Sequence, residues 1–102
     1  MGGRVRYQVE ERDGLAVVQE IHKVVVHTFT VGDVDDPEIY AAQPIWEWQQ
    51  TDAGKFIMEN SIDTPSYHHH IDYASYGHRY AITAELEKKK LSEFLLKFGP
   101  IK

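Results

Sequence analysis

Residues 22–31, HKVVVHTFTV, constrain the fold of this chain more than any other stretch. Val24, Val25 and Val26 in succession, then Phe29 and Val31, favour extended backbone, because branched and aromatic side chains fit a pleated surface. An apolar run without alternation predicts a strand covered on both faces, hence one central in its sheet. Gly32-Asp33 ends it. A central strand needs neighbours on both edges, and the flanking sequence supplies candidates. Across residues 4–11, Val5, Tyr7 and Val9 alternate with polar residues. Asp13-Gly14 is a turn dipeptide and residues 15–19 are again rich in branched apolar side chains, the pattern of a hairpin. Residues 78–86 alternate without interruption, with His78, Tyr80, Ile82, Ala84 and Leu86 on one face and Arg79, Ala81, Thr83 and Glu85 on the other. Residues 67–73 also read as extended, and residues 75–77 as a turn.

Asp35-Asp36-Pro37-Glu38 is the strongest helix start in the chain. An Asp caps free amides, Pro loses nothing in a first turn, and Glu suits the positive end of the helix dipole. The spacing predicts a helix from there to about Asn60, kinked near Pro44, which cannot donate to its own turn. Ile45, Trp48, Phe56 and Ile57 fall near one face, which Trp46 cannot fully share. A hairpin of residues 45–50 and 55–60 around Asp52-Ala53-Gly54 competes, and the helix is preferred. Near the C-terminus two periods fit. Phe94, Leu96 and Phe98 alternate as in a strand, while Leu91, Phe94, Leu95 and Phe98 form a helical stripe stopped by Gly99-Pro100. The strand is preferred, paired with residues 78–86 across Lys88-Lys89-Lys90, because alternation up to Leu86 leaves a helix little chain. The expected fold class is therefore α+β, an antiparallel β-sheet with one main, kinked helix packed on it. The chain of 102 residues carries no repeat, low-complexity tract or linker, so a single domain over residues 1–102 is expected.

Composition narrows function by exclusion. With no Cys, disulfides, zinc–thiolate sites, iron–sulfur clusters and thiol nucleophiles are all ruled out. The net charge of −5 opposes nonspecific binding to nucleic acid, which depends on clustered Lys and Arg. The one basic run, Lys88-Lys89-Lys90, is flanked by Glu85, Glu87 and Glu93, as on a solvated turn. No apolar stretch approaches the roughly 20 residues that span a bilayer, and the N-terminus lacks a signal-peptide core, so a cytoplasmic protein is expected.

Four of the six His residues, His68, His69, His70 and His78, lie close together in the chain. In an extended segment His68, His70 and Asp72 project from one face, about 7 Å apart in steps of two. Two imidazoles and a carboxylate can ligate a divalent transition metal, with His78, or His27 on the central strand, as a further ligand. A plain surface strand explains the same residues without a cofactor, and that is preferred. No phosphate-cradling Gly loop, nucleophile elbow or H-E-x-x-H occurs, and Asp33, Asp35, Asp36 and Glu38 lack the spacing of a calcium loop. The chain thus carries no complete catalytic set.

Trp46, Trp48, Tyr73 and Tyr76 are instead candidates for a protein interface, where Tyr and Trp are enriched. A small sheet must also cover or pair its edges, which points to a homo-oligomer. The segments DPEIYAAQPIWEWQQTDAGKFIMENS, YASYGHRY and LSEFLLKFG resemble small uncharacterised proteins of marine tailed phages, cyanophage-like, across residues 22–99. That resemblance implies a marine viral or metagenomic origin and expression inside a bacterial host, and brings no active site. The expectation is a non-catalytic, self-associating protein-interaction domain without a cofactor, the alternative being a metal-binding protein or metal-dependent enzyme built on residues 68–78.

Overall fold

Asp13 and Gly14 both take positive φ, 51° and 77°, the backbone that a two-residue type I′ turn requires. They join β1 (Arg4–Arg12) to β2 (Leu15–Val31) in a computed structural model that describes residues 4–74 and 77–99. After β2 come α1 (Pro37–Gln50), α2 (Asp52–Asn60), β3 (Ser66–Asp72), β4 (Gly77–Glu87) and α3 (Lys88–Phe98). The strands form one antiparallel sheet in the order β1-β2-β4-β3. The fold is α+β, as the periodicities predict. Helix is divided among three elements rather than one.

Residues 15–19 and 22–31 belong to a single 17-residue strand. Sixteen steps at roughly 3.3 Å each cover about 53 Å, and the molecule's longest dimension is 54 Å. The first part of β2 pairs with β1 and the last part with β4, overlapping at Ile21, His22 and Lys23. β2 is therefore central, but not covered on both faces as its composition suggested. A bulge explains the continuous apolar run. Val25 faces Thr83 and His27 faces Ile82, so Val26 is an extra residue and the alternation changes phase there. Val24 before the bulge, and His27, Phe29 and Val31 after it, share the β4 face of Tyr80, Ile82 and Ala84, and Val26 is itself buried.

The helices cover that face. Trp48 of α1, Ile57 of α2 and Phe94 of α3 close over Val26, Ile82, Ala84 and Leu86, and a second cluster joins Ala41 to Val31 and Tyr80. On the other face Arg6 of β1 reaches across β2 to Glu85 of β4, 2.8 Å away, and Ile21 is fully buried. The Arg6 bond holds the Glu85 carboxyl below the usual carboxylate range, and Glu85 in turn raises the Arg6 guanidinium.

Three helical details depart from expectation. Asp36 occupies the N-cap position with Pro37 after it, yet its side chain makes no capping bond. The helix runs through Pro44, and the carbonyl deprived of its donor there belongs to Tyr40, an exposed residue. The break falls at Thr51 instead, whose extended backbone ends α1 and whose Oγ1 accepts from the Gly54 N–H to start α2. Residues 88–98 form α3 and not a strand. No loop is needed, because Glu87 is both the last residue of β4 and the N-cap of α3, so the chain thought too short for a helix suffices. The helix buries Phe94 and partly buries Leu91, sets Phe98 against Phe56, and ends at Gly99 with φ 79°.

Gly54 permits the tight passage from α1 to α2. A Cβ on it would stand 1.8 Å from the Trp48 carbonyl oxygen. Backbone cannot yield so far, and Gly54→Ala is expected to remove roughly 3 kcal/mol or more of stability in a urea titration. His27, stacked 5.8 Å from Trp48, provides a pH test. Burial lowers its pKa from the ordinary 6.5, so the folded chain binds fewer protons there than the unfolded chain. Its contribution is complete above pH 6.5 and is lost as pH falls from there through the lower folded value. In melts between pH 7.5 and about 5, His27→Leu is expected to lose less stability than the parent on acidification.

Candidate functional site

β3 is an edge strand, and in the segment SYHHHID alternation turns Tyr67, His69 and Ile71 toward the helix-bearing face and His68 and His70 toward the other. Pairing with β4 sets Tyr67 opposite Ile82, His69 opposite Tyr80 and Ile71 opposite His78. His68 stands opposite Ala81 and His70 opposite Arg79, on the helix-free face. The register therefore separates His78 from His68 and His70. It brings His69 to His78 instead, with Nε2 of one 2.7 Å from Nδ1 of the other, one ring donating and the other accepting. Asp72 pairs with Gly77 in the strand. His27 lies inward against Trp48, away from all of them. Among the described residues no group of three or more His, Asp or Glu side chains converges on one point.

On the helix-bearing face the rings form a ladder across three strands. Phe29 stacks on Tyr80 at 5.3 Å, Tyr80 on His69 at 5.0 Å, and Tyr67 lies 6.1 Å from Tyr80. The Tyr80 side chain is fully buried, and its hydroxyl finds no hydrogen-bond partner among the described residues. Burial, then the charge of Glu38 and the Tyr67 phenol, push the Tyr80 phenol above its ordinary pKa. On the opposite face Nε2 of His68 lies 3.2 Å from Thr83 Oγ1, which also approaches Ser66. An open depression lined by His70, Ile71, Tyr73 and Arg79 adjoins the end of β3.

The candidate interface aromatics divide. Trp46 and Tyr73 are exposed, at 60% and 79%, but Trp48 is a core residue packed on His27, because α1 turns positions 46 and 48 to different sides. Tyr76 lies outside the described residues. A larger apolar surface went unread in the sequence. Val5, Tyr7, Val9 and Val18 are all exposed, and the register places them together on the helix-bearing face of the hairpin, beyond the reach of the helices. The alternation in residues 4–11 marked the stripe, and only the position of the helices shows it uncovered. Among the described residues no helix is long and apolar enough to cross a membrane. No family model, curated protein or solved structure matches the chain.

The unpartnered Tyr80 hydroxyl gives the site a clean test. Burying such a group without a partner costs about 1–3 kcal/mol, while the ring alone does the stacking. Tyr80→Phe is expected to raise stability by about 1 kcal/mol in urea, and a loss of similar size would mean that the hydroxyl is bonded.

Proposed function

We propose that this chain is a non-catalytic, self-associating interaction domain in which β3 of one copy pairs with β3 of a second. The contrast between the two edges of the sheet carries the proposal. β1, RVRYQVEER, holds five charged residues in nine, the usual guard against edge-to-edge pairing. β3 has no Lys, Arg or Pro, and its one acidic residue is the last, Asp72. It leans on β4 on one side and carries no described element of substance on the other.

The strand is also self-complementary. Two copies related by a two-fold axis normal to the sheet keep each residue on its own face, so opposed residues must be of equal parity. A register centred on His69 meets this and sets Tyr67 opposite Ile71 of the second copy, joining two half-exposed apolar side chains on the helix-bearing face. The helices of both copies then flank one continuous eight-stranded sheet. The bare stripe of Val5, Tyr7, Val9 and Val18, with exposed Trp46 and Tyr73, leaves further surface for a protein partner. The resemblance to tailed-phage proteins favours the cytoplasm of a bacterial host as the setting.

Sedimentation of untagged protein at tens of micromolar is expected to reveal a dimer, with a dissociation constant on the order of micromolar. Ile71→Lys, which sets an ammonium against the pairing strand on an already exposed site, is expected to yield monomer with an unchanged melting curve. A parent chain that stays monomeric at about 100 μM, with and without a divalent metal ion, excludes the proposal.

A further inference from the structure

We propose that this pairing, if β3 associates as argued above, builds an intersubunit site for one divalent transition-metal ion such as zinc, from His68 and His70 of each copy. The inference rests on the β3 self-association and adds a ligand to it. In the register centred on His69, His68 of one copy faces His70 of the other, and the two-fold axis repeats the pair. Opposed Cβ atoms in an antiparallel ladder stand about 5 Å apart, and same-face neighbours along a strand about 7 Å. Four imidazoles therefore rim a rectangle of roughly 5 by 7 Å on the helix-free face. Within one chain the same strand supplies only two nitrogens, too few for a closed tetrahedral site.

The surroundings of His68 suit a ligand. Metal-bound imidazoles characteristically donate their second ring N–H to an acceptor that fixes the tautomer. Thr83 Oγ1 stands 3.2 Å from Nε2 of His68 and 3.0 Å from Ser66 Oγ, so it can donate to the serine and accept from the imidazole. With the proton on Nε2, Nδ1 of His68 is free to coordinate. Arg79 stands opposite His70 on the β4 side, so the seat for a cation lies on the outer side of β3, toward the second copy. The His69–His78 pair takes no part, since it occupies the other face and each ring already has a partner in the other. Every ligating nitrogen binds in its unprotonated form, and any displaced proton goes to solvent.

The test uses untagged protein purified without a nickel column, stripped with EDTA, then titrated with zinc while mass is followed by sedimentation. The parent chain is expected to bind one zinc per two chains and to tighten its dimer by at least about tenfold. The double variant His68→Ala, His70→Ala is expected to keep the zinc-free behaviour and lose the response, while His69→Ala keeps it. Zinc bound one per chain without a change in mass overturns the site, as does an undiminished response in the double variant. A dimer in EDTA that ignores zinc ends the metal inference and leaves the edge pairing standing. A monomer in both EDTA and zinc ends the pairing itself, and a monomer in EDTA that dimerises with zinc supports both.

Discussion

The extra residue at Val26 decides how apolar surface is distributed over the whole sheet. Without a bulge, Val24 and Val26 would share one face with Thr28 and Thr30, and Phe29 and Val31 would turn to the other. The phase change at Val25–His27 puts Val24, Phe29 and Val31 together on the helix-bearing face, under the helices that carry Trp48, Ile57 and Phe94, and leaves Ile21 and Val25 on the other. The helix-free face keeps Lys23, Thr28, Thr30, Thr83 and Arg79, and can remain wet. One layer of short helices therefore covers a sheet whose central strand alone is as long as the molecule.

That economy leaves surface unused. The helices pack over the last half of β2 and over β4, so the hairpin projects past them with its valines and Tyr7 bare. A two-stranded ribbon has little stability of its own, and here the Arg6–Glu85 pair fastens its base across β2 to β4. At the opposite edge β3 is short, uncharged over most of its length and held from one side. Charge guards one margin of the sheet and is nearly missing from the other, and that asymmetry gives the interaction reading its direction.

Periodicity made much of the fold legible. The alternation of residues 78–86 named the buried face of β4 residue by residue, and Asp13-Gly14 marked a turn whose backbone suits those two residue types. Pro37 placed the start of α1. Legibility failed where a local pattern fits two structures and distant packing chooses. Residues 91–98 support both a strand and a helical stripe, and Phe56 and Leu86, far apart in the chain, decide for the helix by offering Phe94 and Phe98 a surface. Thr51, not Pro44, divides the helical stretch, because the α1–α2 crossing needs a residue that caps with its side chain beside a glycine with room for no Cβ.

The candidate site shows the same division. Sequence alone determined that His68 and His70 share a face, since a strand alternates whatever it pairs with. It also excluded thiol chemistry, because composition does not depend on folding. Only tertiary structure decided that His78 belongs to the other face with His69, that Trp48 is core while Trp46 is surface, and that β1 and β3 are the two edges of the sheet. Those outcomes depend on register and on which element lies over which, and register is set by pairing between segments that no local pattern connects.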